Sequence, residues 1–215
     1  TVTAQQEGKT PEEVAMHYHA INSKSIEEMG ISFDLFSHTH TKEHFESARW
    51  ILDTLDKAGY IEPRVSEEPY DPIAKQFLPD RYVEGTCPHC NYESARGDQC
   101  DSCGKTLDSK ELINPRSKLN PDAEIEFRET EHLFFKLSEF RDTLLDWLSS
   151  GKEHWRPSVI NFTRNWLQEG LIDRPITRDL EWGIDIQREG YEKKRMYVWF
   201  EAVMGYYSAS LHWAK

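Results

Sequence analysis

The four cysteines are the feature of this sequence that most restricts its fold. Cys87, Cys90, Cys100 and Cys103 form two C-x-x-C pairs separated by nine residues. Two such turns brought face to face supply the four soft ligands that tetrahedral Zn²⁺ takes. On spacing alone, two disulfides, a redox-active C-x-x-C or an iron–sulfur cluster remain alternatives. A tetrathiolate site has no open coordination position, so we expect the zinc to be structural and the chemistry to lie elsewhere.

Composition and charge exclude several classes of protein. Hydrophobic residues make up 38% of the 215 residues, with 7 Trp, 9 Tyr and 10 Phe, which is enough for a core. No apolar run approaches the roughly 20 residues of a membrane span and no secretory signal is evident, so we expect a cytoplasmic protein without a membrane partner. The net charge of -12 argues against a free-standing nucleic-acid-binding protein. The sequence opens at Thr1 and ends in a helical pattern, so we expect it to be a piece of a longer polypeptide.

Helix signals dominate the first part of the chain. Thr10, Pro11 and Glu13 predict a helix start with a capping box. A second helix is predicted from about 42 to 58, where apolar residues recur at helical spacing. The helical period disappears between about 77 and 135, so we expect a small mixed insert around the cysteines.

The C-terminal part predicts another helix and then a strand. Pro157 suits a first helical position, and we expect Val159, Phe162 and Trp166 to face inward. Residues 196–200 are apolar and β-rich without alternation, a pattern typical of a strand buried on both faces of a parallel sheet. This strand would pass directly into a terminal helix.

A longer motif surrounds the first cysteine pair. The residues F-L-P-D-R-Y-V-E-G-T-C-P-H-C, from Phe77 to Cys90, resemble the connective-peptide segment of methionyl-tRNA synthetases, a class I family. Further segments occur in the family's order along essentially the whole chain: 34–44, 70–72, 176–179 and 197–202. Residues 1–11 resemble the segment that comes directly after the family's D-x-H-G-T-P motif.

The resemblance implies an α/β fold in which a split Rossmann-type catalytic domain flanks a mixed α+β insert with one zinc knuckle. Residues 1–37 would end the first catalytic half, 38–195 would form the connective-peptide insert, and 196–215 would begin the second half. The family activates methionine with ATP and Mg²⁺ and transfers it to the 3′ end of tRNA. Methionine, tRNA and the remainder of its own polypeptide would be the partners. Because the family's H-x-G-H and K-M-S-K-S motifs are absent here, we assign no catalytic residue and expect this piece to be inactive alone.

The segment W-F-E-A-V-M-G-Y resembles the family's methionine-pocket motif, W-x-D-A-P-x-G-Y. The resemblance implies that Trp199, Ala202 and Tyr206 line the methionine side chain, with Val203 where proline is common. An aromatic wall suits a thioether, because sulfur–aromatic contacts add to burial. Glu201 replaces the motif's aspartate. From the residues alone, without the resemblance, Trp199 and Tyr206 would be interpreted as ordinary core aromatics at a strand–helix junction.

A histidine group near the second helix has a structural interpretation. His38, His40 and His44 could form a metal cluster, but His38 and His40 lack carboxylate or cysteine partners at ligand spacing. We therefore interpret the group as a hydrogen-bonded linker and helix start.

Three further points concern charge and function. Arg178 beside Asp179 either orients the pocket from beneath or forms an ion pair at a strand end. The run 193–195, Lys-Lys-Arg, is expected to be a solvated turn rather than a tRNA contact. The alternative to an enzyme is a binding protein: the chain would be a self-contained, non-catalytic zinc-knuckle module that acts as an adaptor or contacts RNA.

Overall fold

The computed structural model describes residues 2–215; Thr1, the first residue of the range expected to end the first catalytic half, lies outside them. The helices are α1 (Val2–Glu7), α2 (Pro11–Glu28), α3 (Lys42–Lys57), α4 (Arg141–Leu148), α5 (Pro157–Glu169), α6 (Val198–Glu201) and α7 (Met204–Trp213). The strands are β1 (Ile61–Asp71), β2 (Gln76–Phe77), β3 (Val83–Thr86), β4 (Ala95–Arg96), β5 (Ile113–Ser117), β6 (Glu126–Phe135), β7 (Arg174–Pro175), β8 (Thr177–Asp179) and β9 (Lys194–Met196). Within 2–215, no helix combines the length and apolar character needed to cross a bilayer.

A four-stranded antiparallel sheet in the order β2-β1-β6-β7 forms the centre of the chain. β1 and β6 pair from Ile61 opposite Phe135 to Tyr70 opposite Glu126. The cysteines lie in the segment between these two strands, and the long pairing of β1 with β6 holds both ends of that segment in place. The core beside the sheet consists of Ala48, Leu52, Ile61, Leu133, Ile176, Ile184, Ile186, Tyr191 and Met196.

The segment between β1 and β6 folds around its own small sheet, in the order β4-β3-β5. We call residues 78–125 the cysteine module. Two of its cysteines, Cys87 and Cys100, are buried in its core. The other core residues are Leu78, Val83, Ala95, Leu107 and Leu112. The sulfur cluster is therefore part of what holds the module together.

Both predicted N-terminal helices are confirmed. The Thr10 hydroxyl accepts from the Glu13 N–H at 3.2 Å, and the Glu13 carboxylate accepts from the Thr10 N–H at 2.8 Å, which completes the capping box. The second helix, α3, covers Lys42–Lys57.

The helix at Pro157 is confirmed, but its predicted inward face is wrong. Val159, Phe162 and Trp166 are all exposed. The helix instead packs through Ile160 and Leu167 in a small cluster with α4. Each of these two faces of the helix carries apolar residues at helical spacing. The sequence therefore does not indicate which face is buried, and the position of α4 decides it.

The predicted strand over 196–200 is also wrong. β9 ends at Met196 and pairs with β8 in antiparallel fashion. The Tyr197 carbonyl then accepts from the N–H groups of Phe200 and Glu201, which begins α6. Every strand pairing described within 2–215 is antiparallel, so this apolar run has no parallel neighbour there and forms helical hydrogen bonds instead.

Candidate functional site

Four sulfurs meet at one point in the cysteine module. The Sγ atoms of Cys87, Cys90, Cys100 and Cys103 all lie within 4.8 Å of one another. Cys87 and Cys103 are 3.9 Å apart at Sγ, and Cys90 and Cys100 are 3.6 Å apart. These separations are well above the ~2.05 Å of a disulfide. They match the edge of roughly 3.8 Å expected for a tetrahedron with Zn–S bonds of ~2.3 Å. The donor set therefore fits a tetrahedral metal ion.

The two C-x-x-C turns share the same closing hydrogen bond and a left-handed residue after the second cysteine. In the first, the Cys87 carbonyl accepts from the Asn91 N–H at 3.0 Å; in the second, the Cys100 carbonyl accepts from the Gly104 N–H at 2.9 Å. Asn91 and Gly104 both have positive φ, 59° and 72°. Asn and Gly are the residues that adopt this left-handed conformation most readily, so the residue after each pair lets the turn close.

The local electrostatics of the sulfurs also favour a cation. Backbone N–H groups of Cys103 and Ser102 lower the pKa of Cys100 to about 7. The Tyr92 N–H acts in the same direction on Cys90, but desolvation and the neighbouring thiols outweigh it and raise the pKa of Cys90 to about 11. Crowded thiolates repel one another, so some sulfurs keep their protons unless a positive ion lies between them. A bound divalent cation favours the thiolate at all four positions.

A cleft of about 800 Å³ separates the cysteine module from the helices. On one side lie module residues such as Leu107 and Ser109, and on another lie Trp166 and Leu171 at the end of α5. α6 closes the third side. The cleft is lined by both apolar and charged groups, a composition typical of sites that bind small amphipathic ligands.

The four residues predicted to contact methionine form one stripe on α6 and α7. Trp199, Ala202, Val203 and Tyr206 recur at i, i+3, i+4 and i+7, which places them on one helical face. Trp199, Val203 and Tyr206 are 62%, 56% and 85% exposed, so none of the three belongs to a core within the described part of this chain. Trp199 and Val203 line the cleft, whereas Ala202 and Tyr206 lie beyond its lining. We call these four residues the exposed stripe.

Residues 1–215 match the family model described as tRNA synthetases class I (M). The chain belongs to this family. It is 53% identical over 214 residues to a methionine–tRNA ligase of Thermomicrobium roseum, and 52% identical over 214 residues to one of Dehalococcoides mccartyi. Both alignments cover 100% of this chain but only 36% and 38% of the relatives, so the chain spans little more than a third of their length.

A solved class I synthetase has the same fold over this region. The structure of Mycobacterium tuberculosis methionyl-tRNA synthetase in complex with methionyl-adenylate matches 96% of this chain and 35% of its own, with a TM-score of 0.67 at 20% identity. This likeness confirms the expected α/β fold class of the family.

Behind the exposed stripe lies a polar contact that the sequence did not indicate. Glu201 and Ser208 face away from the stripe onto α3, where both contact the buried ring of His44. The predicted helix start at His44 is confirmed, since its N–H donates to Thr41 at the N-cap of α3. Its ring is not part of a surface linker. Only the three-dimensional fold brings together residues 157 and 164 positions apart.

Arg178 and Asp179 interact with different partners. The Arg178 guanidinium lies 3.3 Å from Asp80 and 4.2 Å from the Tyr197 ring, and Arg178 lines the cleft. Asp179 pairs with Lys194 at 2.8 Å. Lys194 is buried, so the prediction that this basic run forms a solvated turn is wrong at its central residue. Lys194 lies between exposed Lys193 and half-buried Arg195, and three consecutive basic residues give no sequence signal of which one is buried.

Proposed function

We propose that the polypeptide carrying this chain is a methionine–tRNA ligase, which activates methionine with ATP and Mg²⁺ and transfers it to the 3′ end of its tRNA. The observation that carries this proposal is the identity of just over half of the residues, along the whole chain, with proteins of that name. In the same proposal, residues 1–37 end the first catalytic half, 38–195 form the insert, and 196–215 begin the second half. The remainder of the polypeptide supplies the ATP-binding motifs.

We assign structural Zn²⁺ to Cys87, Cys90, Cys100 and Cys103. Four thiolates close the coordination sphere, so the ion would supply cross-linking between the two turns and no reacting water. The buried sulfurs of Cys87 and Cys100 share the module's core, and metal binding would therefore be coupled to folding of the module.

The exposed stripe is the proposed wall for the methionine side chain. Trp199 and Val203 present apolar surface at the cleft, and Ala202 and Tyr206 continue that surface along the helix. An apolar, aromatic surface exposed in one segment is typical of a binding or packing site. Trp199 would contact the thioether, because sulfur is favoured near an aromatic ring.

In methionine activation, the exposed stripe would position the substrate and would transfer no proton. Attack of the methionine carboxylate on the α-phosphate of ATP depends on alignment and on stabilisation of phosphate charge. The exposed stripe would bind the side chain, orient the amino acid and exclude water. We also predict that the 215-residue chain alone forms no adenylate.

The pocket assignment is tested by methionine-dependent ATP–pyrophosphate exchange with the full-length enzyme. Trp199→Ala should raise the KM for methionine at least about tenfold, since lost aromatic packing on the substrate removes about 1.4 kcal/mol or more. Trp147 on α4 is the matched control, being an exposed tryptophan that does not line the cleft. Trp147→Ala should leave the KM for methionine unchanged. Equal effects of the two variants would contradict the assignment.

The metal assignment is tested by zinc content. Wild-type protein should hold one Zn²⁺ per chain, and Cys100→Ser should lower that content because one thiolate is lost. Ser102→Ala changes a side chain in the same turn that is not a ligand and should leave the content at one. Unchanged zinc in Cys100→Ser would refute the four-cysteine site.

A further inference from the structure

A buried histidine connects α3 to the helices that carry the exposed stripe. His44 is 0% exposed and its Nε2 lies 2.6 Å from a carboxylate oxygen of Glu201. Its Nδ1 lies 3.1 Å from the Ser208 hydroxyl oxygen. Glu201 and Ser208 are themselves buried, at 8% and 5% exposure. One imidazole ring therefore holds the end of α6 and the middle of α7 at the same time.

The contacts of Ser208 indicate how it binds the His44 ring. The Ser208 hydroxyl donates to the Gly205 carbonyl at 3.1 Å, so the serine oxygen accepts from the N–H at Nδ1 of His44. On the other side of the ring, Nε2 lies 2.6 Å from the Glu201 carboxylate oxygen. Such short bonds between a nitrogen and a carboxylate are among the strongest in proteins, particularly when water is excluded.

This contact fixes the rotation of α6 about its axis. Residues two apart on a helix point to nearly opposite sides, so Glu201 faces α3 while Trp199 faces the cleft. Without the contact between Glu201 and His44, α6 could rotate about its axis and move Trp199 relative to the cleft. The same contact accounts for the glutamate at a position where the family motif has aspartate. Aspartate is shorter by one C–C bond of ~1.5 Å, which is more than a 2.6 Å contact tolerates.

We propose that His44 is a positioning residue for methionine binding, acting through Glu201 to set the position of the exposed stripe. This role rests on the proposed methionine–tRNA ligase function, within which it adds a residue that lies on the insert's first helix and touches no substrate. Ser47 provides a matched control on α3: it is also buried, but its hydroxyl donates only to the Glu43 carbonyl of its own helix.

Two substitutions of His44 separate its two hydrogen bonds. His44→Gln places an amide near the position of Nε2 and keeps the contact with Glu201, whereas His44→Asn places an amide near Nδ1 and keeps only the contact with Ser208. In the full-length enzyme, His44→Asn and Glu201→Asp should each raise the KM for methionine about tenfold, because a buried hydrogen bond to a charged group is lost. The KM for ATP should change by less than about threefold. His44→Gln should restore most of the methionine affinity, and Ser47→Ala should leave it unchanged.

The outcomes distinguish positioning from simple support of the fold. A purely structural role would lower the melting temperature and the fraction of active enzyme, measured by active-site titration, with the KM for methionine unchanged in His44→Asn and Glu201→Asp. That result would overturn the proposal. Equal increases in the KM for methionine and for ATP would overturn it as well. Absence of methionine-dependent exchange in the wild-type enzyme would instead refute the proposed function itself.

Discussion

Asp71, at the end of β1, provides the most quantitative test of how the cysteine module is attached. Its carboxylate is fully buried and accepts from the Ser117 hydroxyl at 3.0 Å and from the Asn120 side chain at 2.8 Å, both at the end of the module's last strand or just beyond it. It also accepts from the N–H groups of Ile73 and Ala74 at 2.9 Å each. One side chain therefore joins the central sheet, the turn after β1 and the exit of the module.

Substituting Asp71→Ala should open this junction. The exposed turn N–H groups can bind water, which leaves the donors of buried Ser117 and half-buried Asn120 without an acceptor. Two such donors at about 1–3 kcal/mol each give a loss of about 2–6 kcal/mol in local stability. Asp71→Asn should lose less, because one carbonyl oxygen remains. Asp122→Ala, an exposed aspartate after the same junction, should change stability by less than about 0.5 kcal/mol.

Native-state hydrogen exchange measures this local stability directly. Amides of β5 and of residues 117–120 should exchange faster in Asp71→Ala by the factor that corresponds to the lost free energy. Burial alone would raise the pKa of Asp71, but its hydrogen bonds, led by the one from Ala74, outweigh burial and lower the pKa. The stabilisation is therefore present at neutral pH and lost as pH falls through that lowered pKa. Unchanged exchange at residues 117–120 in Asp71→Ala would refute the reasoning.

Two further predictions concern the buried histidine of β6 and a glycine of the cysteine module. Burial, with the nearby charge of Lys194, lowers the pKa of His132 to about 3. Between about pH 6.5 and pH 3, the histidine is therefore protonated in the unfolded chain and neutral in the folded chain. Unfolding free energy should fall as pH drops through this window and fall less in His132→Gln; parallel pH profiles in urea titrations would contradict this. A Cβ at Gly97 would clash with the Ser109 hydroxyl and lie 2.7 Å from the Asp80 carbonyl, so Gly97→Ala should destabilise the module by about 1–3 kcal/mol. An unchanged melting temperature and zinc content would oppose that expectation.

Features set by neighbouring residues were predictable from the sequence. The capping box at Thr10 depends on a side chain three residues away, and the cysteine cluster depends on turns whose residue types match their backbone angles. The order of motifs along the chain predicted the family and the α/β class. These features need no information about how distant elements pack.

Features set by distant packing were not predictable. The acidic, proline-containing segment after Ile61 is part of the long strand β1 because β6, far along the chain, pairs with it. The apolar run after Met196 becomes helical because the described part of the chain offers it no parallel neighbour. The buried face of α5 depends on α4, and the burial of Lys194 depends on the position of Asp179. In each case, tertiary contacts choose between local patterns that the sequence allows.

The most direct test of the central claim locates the substrate's sulfur position. Crystals of the full-length enzyme, produced with ordinary methionine, would be soaked with selenomethionine, and the selenium would be located by anomalous scattering. We predict a peak within about 5 Å of the Trp199 ring, at the face that it shares with Val203. A peak found only at a site away from Trp199 and the exposed stripe would contradict the account.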